Sequence, residues 1–391
     1  MKRVGVVFPG RDPLQQGTWS GTPAGIISGL EEIGVAPIPI AVGPPPAVGA
    51  LASNLVALRY LRPSTDVRAA VRQARSTARV SPSMAAVVTA CTPPGFGEAE
   101  ELDGIVQIGT GFTLRTDLPI VTFEDMTVAQ NRQHPYEQYA LLSERAIDAR
   151  IRRQRAAYEQ AVSCCTATEW AAASIVDDYA VPADKVHVVG LGFRPFAGEP
   201  RRDWSTPRFL FVGLDWRRKN GDAVLRAFER LRNDHPDARL DLVGGHPPIS
   251  LAGVHGHGVL HLDVEAERRI VERLFREATC FVMPSTLEAA GIVYLEAASA
   301  GLPVVGTTVG GAGFLIGDGG VVVDPGDDDA LLAAMRRLAD PETAARLGAI
   351  GRARSASFTW PGVARRLVAA LDGEPPTPWW KPASSFETEA S

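Results

Sequence analysis

Short apolar runs alternate with longer segments of helical period along the chain, and this alternation constrains the fold more than any other feature. The runs are rich in Val and Ile and end at Gly, Pro or Asp, which is typical of parallel strands covered by helices. The sequence therefore predicts an α/β fold with two Rossmann-like halves. The predicted strands are residues 4–8, 37–42, 85–90, 104–108, 119–123, 161–166, 185–189, 208–212, 239–243, 280–283 and 303–306. The helices predicted in the second half are residues 222–232, 266–276 and 288–300.

Residues 193–207 separate the two halves and are rich in Pro, Gly and charge, so we interpret them as an interdomain hinge. A length of 391 residues also suits two domains better than one core. We predict an N-terminal domain at residues 1–195, a C-terminal domain at 196–360, and a C-terminal helix and tail at 361–391.

The charge balance excludes one class of function. The formal net charge is −5, so no overall positive field attracts nucleic acid. No run of about 18 uncharged apolar residues occurs, and the N-terminus passes directly into a predicted strand. The sequence predicts a cytoplasmic protein, with the inner face of the membrane as an alternative location.

The most informative segment, PSTLEAAGIVYLEAASAGLPVVGTTVGG, follows the predicted strand CFVM. Gly291 allows a ligand to approach the backbone, and the N–H groups of Ile292 and Val293 would point at an anion from a helix N-terminus. This predicts a diphosphate site. Glu296 is placed to accept hydrogen bonds from ribose hydroxyls, and Glu288 from sugar hydroxyls, although a lone pair of glutamates on a surface helix is more often merely solvated.

Two further loops follow predicted strands. Gly213, a candidate donor-binding residue, and the loop LDWRRKNG follow the strand predicted at residues 208–212. The loop carries Arg218 and Lys219, which could stabilise negative charge on a diphosphate leaving group. After the first strand, the loop QQGTWSGTPAG carries Gly17 and Gly21, which would let the backbone approach a phosphate. The alternative for the first loop is an exposed basic turn, and for the second a plain turn.

These segments together resemble the signature of the retaining glycosyltransferase family four. The two glutamates separated by seven residues match, and the similarity continues in several short motifs: Gly291, Ala297, residues 301–304, Gly310, Gly311, residues 211–213, Lys219 and residues 355–360. The resemblance implies a GT-B fold, in which two Rossmann-like domains face each other across a cleft. It also implies that the C-terminal domain binds a nucleotide sugar, that the N-terminal domain binds the acceptor, and that the C-terminal segment packs back on the N-terminal domain.

The sequence departs from the family pattern at two places. The family commonly has an Arg directly after the glycine that corresponds to Gly213. Leu214 stands there, so Arg217 or Arg218 must supply the guanidinium. The family also commonly has a His at the end of an N-terminal-domain strand. Either Glu124 or Asp125 could replace it near the acceptor, or the Asp could simply cap a helix.

The resemblance implies glycosyl transfer with retention. No carboxylate in the motifs is positioned as a nucleophile, so we expect a front-face mechanism in which the diphosphate accepts the acceptor's proton. We expect no metal and no cofactor, a UDP-sugar as donor, and a small-molecule, saccharide or lipid-linked acceptor. The alternatives are a sugar-nucleotide epimerase or hydrolase, and a non-catalytic nucleotide-sugar-binding subunit.

Three other clusters have simpler interpretations. Residues 327–329 are three aspartates that follow Pro-Gly, so helix capping explains them better than a metal. His255, His257 and His261 lack an evident fourth ligand and suit a solvated loop. A helix rich in arginine could contact a phosphorylated acceptor or an anionic membrane, but interspersed acidic residues favour a solvated face. Its arginines are Arg145, Arg150, Arg152, Arg153 and Arg155.

Overall fold

The computed structural model describes residues 1–9, 14, 18–98, 100–196, 200, 202–376 and 379. The contacts of the chain divide it into two compact units. The first unit comprises the described residues of ranges 1–192 and 359–376, and the second comprises those of range 193–358 together with residue 379. Across the described ranges, no helix is long and apolar enough to cross a membrane.

Strands alternate with helices through both units, as the sequence predicts. The described strands are β1 (Arg3–Pro9), β2 (Ala36–Val42), β3 (Gly104–Ile108), β4 (Ile120–Glu124), β5 (Ser163–Thr166), β6 (Val186–Val188), β7 (Arg208–Gly213), β8 (Arg239–Gly244), β9 (Val254–Gly256), β10 (Cys280–Val282), β11 (Val304–Thr307) and β12 (Gly320–Val323). The described α-helices are α1 (Thr22–Glu32), α2 (Pro46–Ala57), α3 (Val67–Arg79), α4 (Pro82–Ala90), α5 (Val128–Gln133), α6 (Glu144–Gln160), α7 (Glu169–Asp177), α8 (Gly221–Leu231), α9 (Glu265–Glu277), α10 (Ile292–Ser299), α11 (Ala312–Ile316), α12 (Asp328–Arg337), α13 (Pro341–Ser355) and α14 (Trp360–Leu371).

The sheet of the first unit has the strand order β2-β1-β3-β4-β5-β6, and every neighbouring pair is parallel. Strands β3, β4 and β5 are buried along their whole length because helices cover both faces. The chain winds outward in opposite directions from β1 and β3. Their carboxyl ends therefore form the switch point of this sheet, where ligands bind in open α/β folds.

The sheet of the second unit has the order β12-β11-β10-β7-β8-β9 and is also parallel throughout. Counted from its own first strand, this is the 3-2-1-4-5-6 arrangement of a Rossmann fold. The order reverses between β7 and β10, where Phe209 pairs with Cys280. The core on this sheet is aromatic, with Phe209, Phe228 and Phe281 fully buried. The predicted α/β class with two Rossmann-like halves is confirmed.

Helix α14 packs on α1 within the first unit through glycines. A Cβ at Gly25 would lie 2.1 Å from the Trp360 ring, and one at Gly29 would lie 2.3 Å from the Trp360 carbonyl oxygen. The two glycines are one helical turn apart, so both lie on the face of α1 that contacts Trp360. Gly25 and Gly29 therefore serve the packing of α14 on α1.

The predictions were wrong at several elements. Residues 85–90 form the end of helix α4 and not a strand, because Pro82 begins a helix whose N-cap Ser81 accepts a hydrogen bond from Met84 N–H at 3.3 Å. Strands β9 and β12 were missed because each is very short. The helix predicted at 288–300 begins only at Ile292, since Gly291 adopts a left-handed conformation.

Candidate active site

The loops that follow β7 and β10 lie side by side at the switch point of the second sheet. Thr286 N–H donates to the Arg218 carbonyl at 2.8 Å, and Arg218 Nη1 donates to the Leu287 carbonyl at 3.2 Å. These hydrogen bonds join residues that are almost seventy positions apart in the chain. They bring the basic loop predicted from the sequence next to the first glutamate of the motif.

Lys219 and Glu288 form a buried ion pair in this place. Their exposed fractions are 9% and 7%, and the carboxylate also accepts from Ser285 Oγ at 3.3 Å and lies 3.5 Å from Arg218 Nη1. Burial lowers the pKa of Lys219, although the Glu288 carboxylate opposes this shift. The result is a preformed cluster of two cations around one carboxylate.

The backbone of Glu288 is held by the loop that follows β11. Glu288 N–H donates to the Val309 carbonyl at 3.1 Å, and Gly311 N–H donates to the Glu288 carbonyl at 2.9 Å. Gly310 has φ of +106°, and a Cβ there would lie 2.0 Å from the Glu288 carbonyl oxygen. Only glycine fits this position.

The N-terminus of α10 is open. Its N-cap residue is Gly291, with φ of +90° and without a capping side chain. The N–H groups of Ile292 and Val293 occupy the first positions of the helix, where an α-helix offers no acceptor, and the helix dipole adds positive potential. A Cβ at Gly291 would lie 2.9 Å from the Glu288 Cγ. The predicted anion-binding arrangement therefore borders the Lys219–Glu288 pair.

Glu296 lies on α10, after the residues of its first turn. The residue as a whole is partly exposed, but its carboxyl is desolvated by the surrounding protein, and this raises the pKa of the carboxyl to about 7. In the part of the chain that the structure describes, no hydrogen bond to this carboxyl is found. A side chain left in this state can accept ligand hydroxyls, as predicted for a ribose.

Gly213 has a packing function that the sequence did not reveal. A Cβ at Gly213 would lie 2.8 Å from Lys219 Cγ, so the glycine makes room for the lysine stem. Gly244, at the end of the neighbouring strand β8, has φ of +124°, and its Cβ would lie 1.9 Å from the Gly213 carbonyl oxygen. Sequence reasoning missed Gly244, although a glycine pair directly after a strand is a signal for close backbone approach.

In the first unit, Glu124 is the last residue of β4 and its side chain is buried. The carboxyl accepts hydrogen bonds from the Tyr158 hydroxyl, from Thr110 Oγ1 at 2.7 Å and from Gln154 Nε2 at 2.9 Å. Burial raises the pKa of Glu124 to about 7, partly offset by these hydrogen bonds. Asp125 is partly exposed. Of the two candidates, Asp125 is thus the one that a ligand could reach.

The glycine loop after β1 is described only in part. Gly17 lies outside the described residues. Gly21 is the N-cap of α1 with φ of +83° and provides no side-chain cap, so the first N–H groups of α1 are left for other acceptors. The phosphate-binding function of both glycines stays a prediction.

The three clusters with simpler interpretations, the aspartates of residues 327–329, the histidines and the arginines of α6, each contain side chains that form contacts within their own unit. Asp327 caps α12 by accepting from the N–H groups of Asp329 and Ala330, which confirms the capping interpretation. His257 Nε2 lies 2.8 Å from Asp241 Oδ1. On the arginine-rich helix α6, Arg150 donates to the Gly111 carbonyl at 3.1 Å, and Arg153 donates to Thr89 Oγ1 at 3.0 Å. Arg155 also donates to the Asp178 carbonyl at 3.4 Å, so three of the five arginines form hydrogen bonds within the unit.

The open sheet of the second unit has two cations and an open helix N-terminus at its switch point, an arrangement typical of phosphate-binding sites in such folds. Residues 206–340 match the family described as glycosyl transferases group 1. The resemblance to family four inferred from the motif is thus confirmed for this part of the chain.

Curated relatives are similar over part of their length. The chain is 37% identical over 174 residues to a GDP-mannose-dependent alpha-(1-6)-phosphatidylinositol monomannoside mannosyltransferase of Mycolicibacterium smegmatis, covering 40% of this chain and 45% of the relative. It is 35% identical over 217 residues to a D-inositol 3-phosphate glycosyltransferase of Streptomyces scabiei, covering 48% and 49%. The chain thus spans about half the length of the curated relatives it matches.

Solved structures share the fold over nearly the whole chain. Sucrose-phosphate synthase from Thermosynechococcus elongatus superposes with a TM-score of 0.65 at 17% identity, covering 95% of this chain and 99% of the other. WaaG, a glycosyltransferase involved in lipopolysaccharide biosynthesis, gives 0.60 at 18% identity, covering 95% and 100%. The GT-B fold predicted from the motif is confirmed.

Proposed function

We propose that the protein transfers a sugar from a nucleotide-diphosphate sugar to an acceptor hydroxyl with retention at the anomeric carbon. The observation that carries this proposal is the meeting of Lys219, Glu288 and the open N-terminus of α10 at one switch point. Each of the three suits a different part of a nucleotide sugar. The cations and the helix suit the diphosphate, and the carboxylate suits the sugar.

The chemistry follows from charge. As the bond between the anomeric carbon and the diphosphate oxygen breaks, negative charge grows on the diphosphate, and Lys219, Arg218 and the α10 N–H groups stabilise it. The acceptor oxygen bonds to the anomeric carbon on the same face, and its proton passes to the departing diphosphate oxygen. No metal ion is needed for this charge balance, so activity should survive EDTA.

The two glutamates have different parts in the proposal. Glu288, paired with Lys219, accepts hydrogen bonds from sugar hydroxyls. Glu296, without a hydrogen-bonding partner in the described residues, accepts from the ribose. A proton on Glu296 near neutral pH would remove part of its accepting capacity, which makes donor affinity sensitive to pH.

The names of the relatives suggest which donors and acceptors to test. One is GDP-mannose-dependent and acts on a phosphatidylinositol mannoside, and another is a D-inositol 3-phosphate glycosyltransferase. We include GDP-mannose beside the UDP-sugars expected from the sequence, and inositol phosphates beside lipid-linked and free saccharides as acceptors.

The first experiment is a thermal-shift panel of UDP-, GDP-, ADP- and TDP-sugars, because a ligand at about 100 times its Kd stabilises by ~2.7 kcal/mol. Turnover with the stabilising donor is then followed with and without acceptor, and the anomeric configuration of the product is read by NMR. The proposal expects a retained glycoside that forms only with acceptor. Donor hydrolysis or epimerisation at the same rate without acceptor would overturn it, and Lys185→Ala provides a control lysine outside the motifs.

A further inference from the structure

We propose that helices α2 and α3 of the first unit form a surface that binds an anionic lipid bilayer. This surface, called here the α2–α3 face, comprises the exposed side chains of residues 46–79. It is separate from the residues that carry the proposed function, and it is also separate from the arginine-rich helix α6.

Helix α2 is apolar and unburied. Its sequence, PAVGALASNLVA, contains no charged residue, yet Ala57 is its one buried member among the described residues. Leu51, Leu55 and Leu58 are 61%, 58% and 63% exposed, and Val48 and Leu61 are exposed as well. Positions 48, 51, 55 and 58 follow helical spacing and form one stripe. Contiguous exposed aliphatic stripes of this kind mark interaction surfaces.

Helix α3 supplies positive charge. Arg68, Arg72, Arg75 and Arg79 follow the same helical spacing and are all exposed, and Arg59 and Arg62 add two more exposed guanidinium groups. Within the described ranges, none of the six forms an ion pair. Residues 33–97 contain a single acidic residue, and Asp66 uses its carboxylate to accept from Ala69 N–H at 2.9 Å as the cap of α3. This segment is thus locally basic in a chain whose net charge is −5.

Apolar and basic side chains meet where the two helices join. Helices α2 and α3 pack through small residues, with Ala57 against Ala74 and Ala78. Where they join, an open hollow of about 420 Å³ is lined by both kinds of residue, including Leu61, Arg62, Val67 and Val71. A hollow with aliphatic walls and a guanidinium at its rim suits an acyl chain below a phosphate group.

A bilayer fits this chemistry better than a protein partner. Leucine side chains gain by entering the acyl boundary, while arginines beside them bind lipid phosphates. Interfaces between proteins depend on buried aromatic anchors, and the exposed stripe contains none. A helix of 12 residues is about 18 Å long, so it lies in the plane of the bilayer and does not span it.

The test is flotation of the purified chain with vesicles of phosphatidylcholine alone and of phosphatidylcholine with 30% phosphatidylglycerol, where the chosen fraction is roughly that of an anionic membrane leaflet. We expect binding to the anionic vesicles, weakened by salt. Leu51→Ser/Leu55→Ser/Leu58→Ser should lower the partition coefficient by at least about tenfold. Arg68→Gln/Arg72→Gln/Arg75→Gln should lower it on the order of 100-fold.

The matched control is Arg145→Gln/Arg152→Gln/Arg273→Gln, which removes three exposed arginines outside the α2–α3 face and should bind as the parent does. Equal binding to neutral vesicles, equal loss in the control, or unchanged binding in both triple variants would overturn the proposal. A dimer of the parent in light scattering that is absent in the leucine variant would also overturn the proposal, because a second copy of the chain would then cover this face. Turnover on a water-soluble acceptor is measured in parallel, so failure here leaves the proposed function intact.

Discussion

Replacing Glu288 by Gln tests the charge cluster at the switch point of the second sheet. The variant keeps the size of the side chain but removes the negative charge that pairs with Lys219, while Arg218 Nε keeps Asp215 Oδ2 as a partner at 3.4 Å. The lysine is 9% exposed, so its ammonium would remain out of water without its partner. Breaking a buried ion pair in this way costs about 3–5 kcal/mol.

The reverse change should cost less. In Lys219→Met, the Glu288 carboxylate keeps Arg218 Nη1 at 3.5 Å and Ser285 Oγ at 3.3 Å as partners. We expect a loss of about 1–3 kcal/mol for this variant. The double variant should lose less than the sum of the two, with a coupling energy of about 1–3 kcal/mol. The order of the two single losses is the distinctive result.

The assay is urea denaturation of the full chain at pH 7, repeated at higher pH. Burial already lowers the pKa of Lys219, and Glu288→Gln removes the carboxylate that opposes this shift. A folded-state pKa below the unfolded one disfavours folding at low pH, and the penalty disappears as the lysine loses its proton. The loss in Glu288→Gln should therefore shrink as the pH rises from 7 towards 10.

The control pair is Arg230 and Asp329, which lie 2.7 Å apart in the same unit but are exposed. Arg230→Gln should change stability by less than about 1 kcal/mol, because exposed pairs contribute little. If Glu288→Gln were as mild as this control, or if the coupling energy were zero, the reasoning about a buried charge cluster would be refuted.

Three further predictions concern ligands and pH. Lys219→Ala should lower turnover on the order of 10²–10³, as for loss of one charge-stabilising group, while Lys185→Ala stays near the parent value in the same steady-state assay. Glu296→Ala should weaken nucleotide binding in calorimetry, whereas Glu288→Ala should leave nucleoside diphosphate binding nearly unchanged and impair use of the intact donor. Burial raises the pKa of Glu124 from 4.5 to about 7, so the protonated carboxyl stabilises the fold fully below pH 4.5, and this stabilisation is lost as the pH rises through 7. In urea denaturation, the free energy of unfolding of the parent should therefore fall between pH 5 and 8, and Glu124→Gln should make that fall smaller by up to about 3 kcal/mol. An equal fall in the variant would show that this carboxyl is not the titrating group.

The sequence correctly placed the loops of the candidate site after parallel strands, because such strands are visible as apolar runs. Lys219 and Glu288 were each found in this way. Their ion pair was not predicted, because nothing in the local sequence of either residue states that β7 and β10 become neighbours. That adjacency follows from the reversal of strand order and is a property of the whole sheet.

The sequence-based prediction was also incomplete at strand β4, at residues 85–90 and at helix α2. Strand β4 is buried along its whole length, so alternation of polar and apolar residues gave no register, and Glu124 could not be distinguished from Asp125 as the accessible carboxylate. The short apolar run of residues 85–90, AAVVTA, could equally belong to a helix, and the capping Ser81 decides the structure. At helix α2, the apolar sequence would suit a buried core helix, and only the structure shows that its leucines are exposed.

The glycines at the second switch point explain how so much charge can be held in place before a ligand arrives. Gly244 brings β8 against the Gly213 carbonyl, and Gly310 brings the loop after β11 against the Glu288 carbonyl, in both cases closer than any Cβ would allow. The backbones around Lys219 and Glu288 are therefore fixed by the fold itself. In the proposed reaction, the desolvation of the pair is met during folding and is not repeated at each turnover, because the cations are in place before charge develops. If the proposal is right, the rigidity of the site stabilises the departing diphosphate, and its glycines matter as much as its charged residues.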